Sequence, residues 1–221
     1  MSRKRYEAGR HRPGVNDMVR IKICGITNLE DAVLAADLGA HALGFIFYAK
    51  SPRSVAPEAA REIIRQLPPL VLSVGVFVNE EAAAVRELAA RVGLDWVQLH
   101  GQESPEYCRS LGRRVLKGFR IKDEESLLEL PVYRGAVQAL LLYTYKQGQT
   151  GGTGEAFDWD LAVRAKEYGP IVLAGGLTAD NVAQAVAAVR PQAVDVASGV
   201  EAAPGKKDPE RLREFFRAVS S

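Results

Sequence analysis

From Val19 onward, short runs rich in Val, Ile, Leu and Phe give way repeatedly to segments whose apolar positions recur every three or four residues. The runs predict strands at VRIKIC (19–24), ALGFIF (42–47), LVLSVGVF (70–77), DWVQLH (95–100), RVLKGF (114–119), QALLLY (138–143), IVLA (171–174) and AVDVA (193–197). Between and after them the longer period predicts helices over 29–38, 57–66, 80–92, 105–111, 123–130, 159–168, 179–189 and 209–219. Pro57, Pro105 and Pro209 fall in first turns, where a missing N–H costs nothing. Eight strand–helix repeats predict an α/β protein with a parallel sheet, and eight is the number that closes into a (β/α)8 TIM barrel. A single barrel domain is expected over 18–221. An open doubly wound sheet is the competing architecture, but no GxGxxG follows the first strand.

Alternation within the strands assigns side chains to faces. Helices cover the outside of such a barrel, so Ile21 and Ile23 point outward while Lys22 and Cys24 point inward. By the same rule Gln98, His100 and Asp195 point inward, with Val97, Leu99, Val194 and Val196 outward. Polar inward residues near the C-terminal ends of several strands mark where a barrel's chemistry sits, although any one of them could be a satisfied buried polar group. Two loops at the same mouth, Ala174-Gly175-Gly176-Leu177 and Ser198-Gly199-Val200-Glu201, follow the seventh and eighth strands, where barrels often bind phosphate on backbone N–H groups. Gly151-Gly152-Thr153-Gly154, after the sixth strand, reads either as a flexible linker or as a mobile lid.

Composition narrows the function classes. Basic residues number 29 and acidic ones 27. Residues 1–17 carry Arg3, Lys4, Arg5, Arg10 and Arg12 against Glu7 and Asp17, show no periodicity, and read as a disordered basic extension. A transit peptide fits that segment less well because of Glu7 and the scarcity of Ser. The rest is nearly neutral, so neither nucleic acid nor a membrane surface is an expected partner. No apolar run reaches the length of a membrane span, and no secretory signal is visible. Two cysteines, Cys24 and Cys108, are too few for a disulfide framework, which leads to the expectation of a cytoplasmic protein with reduced thiols.

The segments KICGIT (22–27), GFIF (44–47), SPR (51–53), GVF (75–77), VQLHG (97–101), GGTG (151–154) with FDW (157–159), AGGL (174–177) and SGVE (198–201) resemble, in order and spacing, the phosphoribosylanthranilate isomerase family of tryptophan biosynthesis. The resemblance runs from about Val19 to the C-terminus. It implies a cofactor-free, metal-free Amadori rearrangement of N-(5-phosphoribosyl)anthranilate to 1-(2-carboxyphenylamino)-1-deoxyribulose 5-phosphate, by a monomer or a homodimer. By the same resemblance Cys24 matches the general base, Gly175, Gly176, Ser198 and Gly199 the phosphate cradle, and Arg53 the partner of the anthranilate carboxylate.

Residue chemistry adds to this. Lys22, two residues before Cys24 on the same face, would favour the thiolate that a base requires. A free cysteine is also commonly a small buried hydrophobe, a reading open for Cys24 and the one adopted for Cys108. Arg53 could be a solvated surface charge, yet its planar fork suits a carboxylate. Lys22, Gln98, His100 and Asp195 are expected as substrate-binding residues, Gln98 and His100 as contacts or network members and Asp195 as one that also orients its neighbours.

One position departs from the family. Its general acid is an aspartate at the end of the sixth strand, and here Leu140-Leu141-Leu142-Tyr143-Thr144-Tyr145 puts Tyr143 in that place. Three explanations are open: the phenol is the acid, another carboxylate such as Asp195 or Asp158 has taken over, or turnover is crippled. The alternatives to an isomerase of this family are a non-catalytic phosphosugar-binding barrel and the related histidine-pathway isomerase, which uses an aspartate where Cys24 stands.

Overall fold

The computed structural model describes residues 18–143 and 159–220; the basic extension, Asp158 and the GGTG stretch lie outside the described residues. The chain runs β1 (Arg20–Cys24), α1 (Leu29–Asp37), β2 (Ala42–Ile46), α2 (Pro57–Ile64), β3 (Leu72–Phe77), α3 (Ala82–Val92), β4 (Trp96–Leu99), α4 (Pro105–Ser110), β5 (Arg114–Arg120), β6 (Ala139–Tyr143), α5 (Trp159–Ala165), β7 (Ile171–Leu173), α6 (Ala179–Val189), β8 (Ala193–Val196), β9 (Glu201–Ala203), β10 (Lys206–Lys207) and α7 (Pro209–Ser220). Strands β1 to β8 form a closed barrel in sequence order. β8 returns to β1 in parallel, with Lys22 opposite Asp195, and this closing pair excludes the open doubly wound sheet.

Two apolar layers follow from the alternation. Outward residues of the strands, among them Ile23, Leu43, Phe45, Val97, Leu99, Leu140, Leu142 and Val194, pack with the helices into one continuous core. Inside the barrel a much smaller cluster, Leu116, Ala139, Leu141, Val172 and Ala174, fills the interior, with Trp96, Tyr143 and Ala193 against it. Lys22, Gln98 and Asp195 share the interior with that cluster and are themselves buried.

Local chemistry sets the helix ends. Asn28 accepts from the N–H of Asp31 at 2.8 Å to start α1, and Ser104 accepts from Tyr107 at 3.2 Å to start α4. At α6 the Asn181 side chain accepts from Thr178 N–H at 2.9 Å and donates to the carbonyl of Gly176 at 2.9 Å. Those two bonds tie the double-glycine loop to the helix that follows it.

The helix expected over 123–130 is replaced by two 3-10 turns, Glu125–Leu127 and Leu130–Tyr133. Asp123 accepts from both the N–H and the hydroxyl of Ser126, which gives the backbone a local alternative to the α-helix, and Pro131 supplies no N–H to continue one. The buried side chains Leu127, Leu130 and Tyr133 recur every third residue, the spacing that a 3-10 turn aligns. Strand β3 also starts later than the pattern suggests, because Leu70, after two prolines, is exposed and has φ 77°.

Candidate active site

A cavity of about 420 Å³ opens at the C-terminal ends of the strands. Cys24, Arg53, Gln98, His100, Tyr143, Gly175, Gly176, Asp195, Ser198 and Gly199 all line it. Lys22, expected to bind substrate, does not line the cavity: it is buried one layer below and reaches the site through Asp195, its Nζ donating to Oδ1 at 2.7 Å.

Register builds the thiol's surroundings. Cys24 stands opposite Gly44 on β2, and a Cβ at Gly44 would come within 2.7 Å of Cys24 Sγ and 3.1 Å of Lys22 Nζ. The missing side chain at position 44 is therefore what leaves room for the thiol and ammonium to lie side by side. Lys22 was expected to draw Cys24 toward the thiolate, and the balance falls the other way. Burial, the largest influence, pushes the Cys24 pKa up; Lys22 and Lys207 pull it down, but Asp195 adds to the rise and the thiol stays above its ordinary value. Burial by itself would lower the Lys22 pKa, but Asp195 and Cys24 together raise it. The ammonium lies between two acidic neighbours, and its pull on the thiol is outweighed by burial and by Asp195.

Across the mouth, His100 and Tyr143 pack ring against ring, their centroids 5.1 Å apart and tilted by 41°. Burial, then the charges of Lys22 and Lys117, push the His100 pKa down to about 3, so the imidazole is neutral at physiological pH. Its Nε2 lies 2.6 Å from the side-chain nitrogen of Gln98. Burial also raises the Tyr143 phenol above its ordinary value, which keeps it protonated at neutral pH. Asp195 is two strands round the barrel from Tyr143, and its Oδ1 is engaged by Lys22.

The glycine loops form a concave floor of backbone. Gly175 and Gly176 both take positive φ, 85° and 68°, a succession that only glycine adopts without strain. At Gly199 a Cβ would sit 1.9 Å from the carbonyl oxygen of Leu177, so the two loops approach each other to main-chain contact. Ser198–Val200 is a 3-10 turn. The sequence pattern did not single out the β9–β10 hairpin just beyond it. From that hairpin Glu201 accepts two hydrogen bonds from Arg53 Nε, at 2.9 and 3.0 Å, and one from Nη2 at 2.7 Å. The Arg53 fork, expected as the partner of a substrate carboxylate, is thus held along one edge by a carboxylate of the protein. Cys108 is buried in α4, away from the mouth. Among the described residues no group of His, Cys, Asp and Glu could hold a metal ion, and no helix is long and apolar enough to cross a membrane.

Known proteins share this architecture. The sequence profile of the N-(5'-phosphoribosyl)anthranilate (PRA) isomerase family matches residues 21–218. The N-(5'-phosphoribosyl)anthranilate isomerase of Citrifermentans bemidjiense is 60% identical over 199 residues, covering 90% of this chain and 96% of the relative. That of Pelobacter propionicus is 56% identical over 200 residues, covering 90% and 95%. The crystal structure of phosphoribosyl anthranilate isomerase from Thermotoga maritima superposes with a TM-score of 0.86 at 45% identity, over 92% of this chain and 99% of that one. A phosphoribosyl anthranilate isomerase in complex with reduced 1-(o-carboxyphenylamino)-1-deoxyribulose 5-phosphate gives 0.84 at 44% identity, over 92% and 99%. With a profile match spanning nearly the whole barrel and relatives above one-half identity, the chain belongs to the N-(5'-phosphoribosyl)anthranilate isomerase family.

Proposed function

We propose that the pocket carries out the family's Amadori rearrangement of N-(5-phosphoribosyl)anthranilate, the third step from chorismate to tryptophan, with Cys24 as base and Tyr143 in the place of the acid. The observation that carries the reading is the convergence, in one cavity, of a thiol, an arginine fork and two glycine loops. The loops would take the 5'-phosphate on main-chain N–H groups, and the free edge of Arg53 would take the anthranilate carboxylate. Gln98, His100 and Asp195 are assigned to substrate contact and orientation.

The chemistry needs no cofactor. An acid gives a proton to the furanose ring oxygen, the C1–O bond breaks, and the anilino nitrogen supplies the electrons for a C1=N iminium ion. The base then removes the proton from C2, and the resulting enolamine becomes the C2 ketone as C1 is protonated. A thiol held above its ordinary pKa suits this order of events. The iminium formed in the first step is a cation beside Cys24, and a nearby positive charge favours the thiolate at the moment the base is needed.

Tyr143 bears on the rate. A phenol raised by burial is a weak proton donor, and general acid catalysis contributes about 10²–10⁴-fold. We therefore infer turnover well below what an aspartate at this position would allow. The same observation favours a second reading, a barrel that binds the phosphosugar without turning it over. The histidine-pathway alternative has no such support, since Cys24 stands where that family uses an aspartate. Two free, buried thiols suit a reducing compartment, in line with a cytoplasmic enzyme.

Purified protein is to be assayed with freshly made phosphoribosylanthranilate by loss of substrate fluorescence, beside Cys24→Ala. Turnover that Cys24→Ala abolishes supports the isomerase. Tight calorimetric binding of the reduced product without turnover in the parent supports the binder.

A further inference from the structure

Glu201, the last residue of the SGVE segment, and Lys207, which no sequence motif includes, both belong to the hairpin that follows the barrel's last strand. The Lys207 side chain has 0% exposure and that of Glu201 4%, and Nζ lies 3.0 Å from Oε1. Nζ also donates to the carbonyl oxygen of Cys24 at 2.6 Å and to that of Ala197 at 3.2 Å. The hairpin is pinned in turn to α1, since Lys207 N–H donates to Asp31 Oδ2 at 2.8 Å.

A buried ion pair is a poor way to gain stability, because well-packed apolar residues in its place often do as well or better. What distinguishes this pair is what it holds. Lys207 grips the main chain of the residue that carries the thiol, and Glu201 grips the guanidinium. Nε–H and one N–H of Nη2 are consumed by Glu201. A guanidinium has five N–H groups, so both N–H groups of Nη1 and the second of Nη2 remain; one of the Nη1 pair and the second of Nη2 run parallel along one edge with the spacing of a carboxylate. Arg53, Glu201 and Lys207 together carry one net positive charge.

We propose that Glu201 and Lys207 are positioning residues for this reaction: Glu201 turns Arg53 so that its Nη1–Nη2 edge meets the aryl carboxylate, and Lys207 locks Glu201 and the Cys24 main chain into one frame. The proposal rests on the assignment of Arg53 to that carboxylate. Its consequence is specificity for the ortho-carboxyl group, carried by two residues that never touch it.

The test compares two probes by calorimetry, the reduced product with its carboxyphenyl group and its counterpart with a plain phenyl group. The ratio of their dissociation constants measures recognition of the carboxylate and does not depend on how much of a preparation is folded. The parent is expected to prefer the carboxylate, and Arg53→Ala to lose the preference. Glu201→Gln, which keeps the shape and removes the charge, and Lys207→Met should each reduce the ratio by about tenfold, the weight of one charge-assisted hydrogen bond. Binding of the phenyl probe should change less than about twofold, since it makes no use of that bond. A parent without preference overturns the Arg53 assignment and this proposal with it. A preference that Arg53→Ala abolishes but that survives intact in Glu201→Gln and Lys207→Met overturns the positioning role alone.

Discussion

Replacing Tyr143 with aspartate changes the proton donor and little else. A donor's contribution is the product of how much of it is protonated and how strong an acid it is, and the strength enters with a Brønsted slope of roughly one-half. The phenol, pushed by burial above its reference value near 10, is wholly protonated at pH 7 but weak. An aspartate in the same half-buried place starts near 3.9 and is lifted by the same burial. At a pKa of about 6 it is roughly one-tenth protonated at pH 7 and about 100-fold stronger than the phenol, a net gain of about tenfold from acidity alone. Removing the ring also frees space for the sugar beside His100, whose centroid is 5.1 Å from that of Tyr143. The ceiling is the whole of general acid catalysis, about 10²–10⁴-fold. The expected result in the fluorescence assay is a kcat higher by between about tenfold and 10⁴-fold, with KM within about threefold of the parent, the pattern of an interaction made mainly in the transition state. Loss of the ring contact should cost about 0.5–1.5 kcal/mol of stability. The pH profile supplies the decisive signature: the variant's kcat should decline above the new acid's pKa, where the parent's holds level. A folded variant that binds the reduced product, is no faster than the parent and has no new alkaline limb would remove position 143 from proton transfer.

Three further outcomes are expected. Cys24→Ala should lower any turnover by at least about 10²-fold while the reduced product still binds; calorimetry showing that both are lost would make Cys24 a packing residue. His100, neutral in the fold with a pKa of about 3, takes up a proton in the unfolded chain below about 6.5. Its contribution to stability is therefore complete above pH 6.5 and is lost as pH falls toward 3, by up to about 1.4 kcal/mol per unit. Urea unfolding between pH 4 and 7 should show a shallower dependence in His100→Asn, and parallel curves would contradict the burial argument. Gly44→Ala forces a Cβ to within 2.7 Å of the Cys24 sulfur, so it should cost about 1–3 kcal/mol and depress kcat, while an unchanged unfolding midpoint would contradict that contact.

Periodicity identified the eight barrel strands because most of them keep an apolar outer face, as Ile21 and Ile23 or Leu140 and Leu142 do. The same alternation placed Cys24, Gln98, His100 and Asp195 inside. It failed where long-range contacts decide. The segment Glu201–Lys207 has no alternation to read, and its hairpin is held by Asp31 and Arg211, residues distant in sequence or beyond it. The pairing of Lys22 with Asp195 exists only once β8 closes on β1, so its effect on the Cys24 thiol could not be read from the neighbouring lysine alone. Lys117 faces outward on β5, yet it is buried and lies 3.4 Å from Glu103. An isolated lysine in a strand gives no sign of such a partner.

Tyr143 shows how the barrel separates folding from chemistry along one strand. Leu140 and Leu142 face the helices and are 1% and 0% exposed, and Leu141 fills the interior. These three residues hold β6 between β5 and β7. Tyr143, the next inward residue, is the first to reach the mouth, where it meets His100 and the cavity. A change there alters a half-buried contact worth about 1 kcal/mol, within the range of an ordinary surface or boundary substitution. On the proposed role of Tyr143, the same change would alter proton transfer by about tenfold to 10⁴-fold, or about 1.4–5.4 kcal/mol of transition-state free energy. The imbalance means that stability exerts almost no constraint on the acid's position. A chain can therefore keep the family's barrel while the residue at position 143, the proposed proton donor, is exchanged.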